Sequence, residues 1–210
     1  DFAVRLSRQY HVPLVFSYHI MFEHYVHYLP IRTEGVKQFL ITLASGYANM
    51  CQHVIAPSQS VREILIKRRI KVPITIVPTG VNVGAFAYGR GKLFCQQNRI
   101  PAGALVIGHV SRLAPEKNLD FMVPALIELL KKDKRVHALI VGRGPSVPMI
   151  RSKFKQAGLQ KRLHLTGYLD GQDLIDAYHA MDVFAFASLS ETQGIVLVEA
   201  LAAGVPVVAV

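Results

Sequence analysis

The sequence predicts an α/β protein built on parallel sheets, and three observations carry that prediction. Short, nearly continuous apolar runs recur along the 210 residues, at Leu105–Val110, Val136–Val141, Leu163–Thr166 and Val183–Ala187. Segments with helical spacing of apolar residues separate them. The runs hardly alternate with polar residues, which marks strands covered on both faces by crossover helices. The hydrophobic fraction of 51% supplies buried cores and argues against disorder.

Taken in order, residues 11–17 read as a strand, with Val12, Leu14, Val15 and Phe16. Residues 31–50 read as a helix, with Val36, Phe39, Leu40, Leu43 and Tyr47 on its apolar face. His53 to Pro57 reads as a short buried strand. Ser58 or Ser60 caps the helix that follows, through about Arg68. Glu63 lies three residues after Ser60, as a capping-box acid does. Ile74 to Val77 is a strand ended by Pro78. The stretch from Pro78 through Gly84, Gly89 and Gly91 has the composition of a linker.

A second alternating series starts near Leu105. Its strands are the runs above and residues 206–210. Its helices fall at about 119–132, 147–156, 173–181 and 194–203. The expected organisation is residues 1–82 as the C-terminal part of one Rossmann-like domain, 83–92 as a linker and 93–210 as most of a second. Asp1 opens the chain without Met, and Val210 closes it inside an apolar strand pattern. The sequence therefore reads as a piece of a longer protein.

Composition narrows the function. The formal charge is +10, which suits phosphorylated ligands, anionic lipid or nucleic acid. Nucleic acid lacks a second signal, because no basic ribbon is interleaved with aromatics and no zinc spacing occurs. The runs Lys67-Arg68-Arg69 and Lys131-Lys132 with Lys134-Arg135 read as solvated helix ends. Cys51 and Cys95 have no CxxC partner and read as reduced core thiols of a cytosolic protein. No run of about 18 apolar residues occurs, so no transmembrane helix is expected. The dinucleotide fingerprint GxGxxG is absent, as is a nucleophile elbow, which argues against a dehydrogenase and a serine hydrolase.

The most informative segment runs from Ser190 through Glu191, Thr192, Gln193, Gly194, Ile195, Val196, Leu197 and Val198 to Glu199. It sets two carboxylates, Glu191 and Glu199, eight positions apart. On a helix that separation is about 12 Å of rise. Two acids so spaced reach opposite ends of one long polar ligand, such as a sugar nucleotide. Backbone N–H groups near Gly194 would open a helix, where unpaired donors and a partial positive charge suit a diphosphate. The competing reading is a buried amphipathic helix entered through a polar turn.

With Glu-Ala at 199–200 and Gly-Val-Pro-Val at 204–207, this segment resembles the Glu-x7-Glu signature of retaining glycosyltransferases of the GT4 family, which have the GT-B fold. That fold is two Rossmann-like domains facing across a cleft. The family usually carries Glu-Phe-Gly; Glu191-Thr192-Gln193-Gly194 is similar to a subset that includes bacterial diacylglycerol glycosyltransferases. The resemblance implies that Glu199 accepts ribose hydroxyls. It implies that Glu191 holds hydroxyls of the donor sugar. Gln193 lies among the donor-binding positions, and Gly194, Ile195 and Val196 offer N–H groups to sugar and phosphate.

Ser111-Arg112-Leu113-Ala114-Pro115-Glu116-Lys117-Asn118 follows a strand and opens a helix. Ligands of open α/β sheets bind at such strand ends. There a guanidinium and an ammonium can clamp a diphosphate and stabilise its charge as a leaving group, with no metal needed. The bland alternative is a surface turn with Glu116 and Lys117 as an ordinary charge pair. The segment resembles the family's Gly-Arg-Leu…Glu-Lys-Asn motif, which assigns Arg112 and Lys117 to the diphosphate. Ser111 stands where the family often has Gly.

Val141-Gly142-Arg143-Gly144-Pro145 resembles the family's Val-Gly-x-Gly-Pro turn, where Gly142 would let backbone approach the ligand; a plain tight turn explains it equally. By family position Tyr168 lies near the nucleotide base, and a buried structural tyrosine is the alternative. His19, after the first strand, resembles the histidine of the Thr/Ser-x-His element that contacts the transferred sugar. His24 and His27 read as structural. The aromatics from Tyr18 to Tyr28 either line an acyl-chain path or pack on a neighbouring helix.

The expected function is hexose transfer from a nucleotide diphosphate sugar, UDP-hexose, to an acceptor hydroxyl such as that of diacylglycerol, with retention. His19, Glu191, Arg112 and Lys117 are the expected catalytic set. No cofactor and no metal are expected. The expected location is cytoplasmic and peripheral at the inner face of an anionic membrane. The alternatives are a nucleotide-sugar-binding piece without turnover, which is what the chain by itself is expected to be, and a GT-B sugar-nucleotide epimerase.

Overall fold

The computed structural model describes residues 2–29 and 33–210, apart from the His27 side chain. The chain forms two compact units. The first comprises Asp1–Gly80 with Ser190–Gln193, and the second Val81–Leu189 with Gly194–Val210.

The first unit holds α1 (Phe2–Tyr10), β1 (Val15–Ser17), α2 (Glu34–Asn49), β2 (His53–Ala56), α3 (Gln59–Lys67) and β3 (Ile74–Ile76). Its strands form a parallel sheet in the order β1-β2-β3. Val54 and Ala56 on β2, Val61 and Leu65 on α3, Ala44 and Ala48 on α2, and Tyr18 make one buried cluster. Thr33 caps α2 by accepting the Val36 N–H. The expected helix start at Ile31 lies outside the described residues. The first strand is shorter than expected, because residues 11–14 return from α1, where Ser7 Oγ donates to the Val12 carbonyl at 2.7 Å.

Two expectations are corrected here. Ser58, not Ser60, caps α3, its side chain accepting the Val61 N–H. With the cap at Ser58, Glu63 is too far along for a capping box; it accepts from Gln59 Nε2 one turn back, at 2.8 Å. Arg68 is not a solvated helix end. Its guanidinium pairs with buried Glu23 and donates to Tyr18 Oη at 3.0 Å. A cation beside a buried carboxylate satisfies a charge that burial alone would penalise.

The second unit begins with α4 (Val83–Phe86) and α5 (Gly91–Gln97), where a linker was expected. Asn82 caps α4 through the Ala85 N–H. Buried Asp176 accepts from the Arg90 N–H at 2.8 Å and from Arg90 Nε at 3.1 Å, which fastens this glycine-rich stretch to the unit. There follow β4 (Leu105–Val110), α6 (Leu119–Lys132), β5 (Val136–Val141), α7 (Val147–Gln156), β6 (Leu163–Gly167), α8 (Gly171–His179), β7 (Val183–Phe186), α9 (Ile195–Ala202) and β8 (Val207–Ala209).

The five strands form an all-parallel sheet in the order β6-β5-β4-β7-β8. All six residues of β5 are buried, His137 among its apolar neighbours, as a nearly continuous apolar run requires. Alternate residues serve opposite faces. Val136, Ala138 and Ile140 pack with α6 and α7, while Leu139 and Val141 pack with Phe94, Tyr178 and Ala200 from α5, α8 and α9. Cys51 and Cys95 are free thiols, and burial pushes both upward in pKa, away from the reactive thiolate.

Candidate functional site

In the second unit the chain starts at β4 in the sheet centre, winds outward through β5 and β6, then returns to β7 on the other side of β4. Strand order therefore reverses between β4 and β7. In open parallel sheets that reversal leaves a crevice at the carboxyl ends of the two strands. The loops that leave β4 and β7 there are Ser111–Asn118 and the stretch from Ala187 onward. Ser188 Oγ bridges them, donating to the Glu116 carbonyl at 3.4 Å.

The same edge gathers the loops after β5 and β6. The Leu113 N–H donates to the Arg143 carbonyl at 2.8 Å, and the Ser146 N–H to the Leu113 carbonyl at 2.9 Å. The Gly142 N–H donates to the Gly167 carbonyl at 2.7 Å. A Cβ on Gly142 would sit 1.8 Å from the Ser111 carbonyl oxygen, and φ there is +134°. Glycine is thus required at Gly142 by the close passage of the β4 loop. The tight-turn reading accounts for it without a ligand. These contacts set Arg112, Lys117, Gly142 and Tyr168 on loops of one sheet edge.

Arg112 and Glu116 form an i,i+4 ion pair. The Glu116 side chain is buried while that of Arg112 is 48% exposed, so a fixed carboxylate holds a guanidinium that still faces solvent. The bland alternative paired Glu116 with Lys117; through the 3-10 turn Pro115–Lys117 the Glu116 carboxylate meets Arg112. Lys117 is half-buried. Ser111 links the loop to the core: His109, fully buried, contacts Ser111 Oγ at 2.7 Å and the Ala185 carbonyl at 2.9 Å. Tyr168 is 62% exposed, which excludes the buried structural role.

Gly194 is the N-cap of α9 with φ 65°, a left-handed conformation that glycine adopts without strain. Ile195 and Val196 open the helix. Glu199 is half-buried, and its Oε2 accepts the Tyr178 hydroxyl at 2.7 Å. Burial, with the hydrogen bond and charge of Glu199, pushes the Tyr178 phenol far above its ordinary range.

Glu191 lies outside α9, so helical rise does not describe its separation from Glu199. The segment Ser190–Gln193 groups with the first unit. There the Thr192 carbonyl accepts from Ser58 Oγ at 2.9 Å, and Thr192 Oγ1 donates to the His19 carbonyl at 3.2 Å. His19 follows β1 and is exposed; Glu191 is exposed and Gln193 half-buried. The structure thus brings His19 and the Glu191 segment together through Thr192. His24 is exposed. Phe22 and Tyr18 pack edge to face at 6.0 Å, so this part of the aromatic string builds core.

Sequence reasoning missed Tyr178 and did not foresee the contacts of Glu116 with Arg112, of Ser58 with Thr192, and of Thr192 with His19. Tyr178 carried a faint signal, a polar-tipped aromatic on the apolar face of α8. Among the described residues no three His, Cys, Asp or Glu side chains are grouped to hold a metal ion, and no helix is long and apolar enough to cross a membrane.

Residues 93–210 match the family profile of the glycosyl transferases group 1. The chain belongs to this family. Residues 2–84 of this group 1 glycosyl transferase match the profile of Glycosyltransferase Family 4. The alpha-monoglucosyldiacylglycerol synthase of Streptococcus pneumoniae is 31% identical, over 99% of this chain and 48% of its own length. That of Acholeplasma laidlawii is 25% identical, over 98% of this chain and 54% of its own. The chain spans about half the length of these curated relatives. The crystal structure of Anabaena HepE in complex with UDP-glucose superposes with a TM-score of 0.81 at 26% identity, over 98% of this chain and 55% of that one. Sucrose-phosphate synthase from Thermosynechococcus elongatus, with a TM-score of 0.75 and 21% identity over 98% and 52%, shares the fold. The group 1 transferase has the GT-B type of α/β fold expected from its motifs.

Proposed function

We propose that the protein transfers a hexose from UDP-hexose to a hydroxyl of a diacylglycerol-type lipid, with retention at the sugar. The observation that carries the nucleotide half is the sheet edge at the strand-order reversal, where the Arg112–Lys117 loop, the Gly142 turn and Tyr168 converge. In this reading Arg112 and Lys117 hold the diphosphate and stabilise the charge it gains on leaving. The N–H groups of Gly194, Ile195 and Val196 add the partial positive charge of a helix start. Glu199 accepts the ribose hydroxyls, and Tyr168 flanks the base. Glu191, Gln193 and His19 attend the transferred sugar. The leaving diphosphate serves as base, with no enzyme nucleophile and no metal.

UDP as the nucleotide is supported by the UDP-glucose complex of Anabaena HepE. A diacylglycerol acceptor is supported by the similarity to the two alpha-monoglucosyldiacylglycerol synthases. The charge of +10 suits an anionic membrane surface, where each basic residue contributes about 1 kcal/mol. Cytoplasmic protein bound peripherally to the inner leaflet follows from that reading.

Thermal shift against UDP-, GDP- and ADP-hexoses tests the donor. A ligand at a hundredfold excess over its Kd stabilises the fold by about 2.7 kcal/mol. The expected result is a shift with the UDP-hexose that disappears in Glu199→Ala. A shift retained in that variant contradicts the site assignment. A product scan with donor alone separates transfer from epimerisation.

A further inference from the structure

We propose that Tyr178 is a positioning residue: it holds the Glu199 carboxylate in the orientation that receives the nucleotide's ribose hydroxyls. The proposal rests on the reading of Glu199 as the ribose acceptor. Tyr178 sits on α8 and is fully buried. Its ring is gripped from two sides. Phe86 of α4 meets it edge to face at 5.7 Å, and Phe184 of β7 lies at 5.8 Å. A ring so packed fixes where its hydroxyl points. That hydroxyl has one proton and two acceptors nearby, Glu199 Oε2 at 2.7 Å and the Val196 carbonyl at 3.4 Å. The shorter contact, to a charged acceptor, takes the proton.

A glutamate side chain has three rotatable torsions and two equivalent oxygens. Left alone, it must be frozen when a ligand binds, and the lost rotamer freedom weakens binding. Tethering Oε2 to a buried phenol removes that loss beforehand, and Oε1 is the oxygen this proposal gives to the diol. The tethering proton is held firmly, because burial and the neighbouring carboxylate disfavour ionisation of the phenol. Both acceptors of Tyr178 lie on α9, five and two positions after its Gly194 N-cap, so the tyrosine also holds the helix start in place.

The test is calorimetric titration of the purified protein with UDP and with 2′,3′-dideoxy-UDP, in wild type, Tyr178→Phe and Glu199→Gln. Wild type should prefer UDP by about tenfold or more, the cost of an unpaired buried acceptor. Tyr178→Phe keeps the ring and should weaken UDP severalfold while leaving the dideoxy nucleotide unchanged, so the preference narrows. Glu199→Gln should lose most of the preference. A merely structural tyrosine would lower the Tm and leave the preference at its wild-type value, which overturns the proposal while the Glu199 reading stands. If Glu199→Gln keeps the wild-type preference, the Glu199 reading itself fails and takes the proposal with it. Should Tyr178→Phe not fold, Phe86→Leu, which loosens the ring without touching the hydroxyl, must narrow the preference in the same direction.

Discussion

Ser58 Oγ donates to the Thr192 carbonyl at 2.9 Å, joining positions 134 apart in sequence. The same hydroxyl accepts the Val61 N–H as the cap of α3. One serine therefore starts a helix and holds the segment that carries Glu191. Ser58→Ala should remove the cap, at about 1 kcal/mol, and the Thr192 bond, at about 0.5–1.5 kcal/mol. Urea unfolding should register a loss in that range, and Ser58→Thr should recover most of it. Transfer activity should fall in Ser58→Ala and return in Ser58→Thr. Unchanged stability in the alanine variant would remove this role.

Glu23 and Arg68 form a buried pair, with side chains 6% and 14% exposed. Removing one partner leaves the other charge buried alone. Glu23→Ala is expected to cost about 3–5 kcal/mol. The double variant Glu23→Leu/Arg68→Met, which takes both charges away, should be more stable than Glu23→Ala. A double variant less stable than the single one would contradict this.

The glycines separate close passage from mere backbone conformation. Gly142→Ala places a Cβ 1.8 Å from a carbonyl oxygen at positive φ, whereas Gly103→Ala meets nothing within 4 Å at φ +79°. Gly103→Ala should cost about 1–2 kcal/mol of backbone strain alone. Gly142→Ala should cost clearly more, with a lower yield of folded protein. Equal costs by thermal unfolding would show that the β4 and β5 loops do not press together there.

His137 and His164 face each other across β5 and β6, Nδ1 to Nε2 at 3.0 Å. Burial lowers the pKa of both; the charge of His164 and Arg162 lowers His137 further, while the Asn98 carbonyl partly restores His164. Their folded pKa values lie below the unfolded value near 6.5, so the unfolded chain binds more protons. Stability is complete above about pH 6.5 and is lost as pH falls through the lowered folded values. Tm measured from pH 7.5 to 5 should decline, and the double variant His137→Leu/His164→Leu should flatten that decline. An equally steep decline in the variant would locate the effect elsewhere.

Much of the second unit was legible because its central strands, β4 and β5, are mostly buried. The apolar runs of β4 and β5 have the expected bounds, since a strand covered on both faces writes itself as a nearly continuous apolar run. The Glu191–Glu199 and Arg112–Lys117 motifs were equally visible, because their chemistry lies in short local strings. What stayed hidden depends on contacts distant in sequence. Nothing local tells that Asp176 would fasten the stretch around Arg90, so its glycines read as a linker. Arg68 looked like one cation of a surface run until Glu23, 45 positions away, was found against it. Tyr178 drew no reading, because only its hydroxyl, meeting Glu199 from another helix, distinguishes it.

The most direct measurement is transfer itself. The purified full-length protein is incubated with UDP-glucose and vesicles of diacylglycerol in anionic lipid, and the glycolipid is quantified with its anomeric configuration assigned by NMR. The expected product is an α-linked hexosyl lipid, formed at a rate that drops at least tenfold in both Arg112→Ala and Glu199→Ala. Equal product from wild type and both variants would contradict the assigned site. A β-linked product would contradict retention.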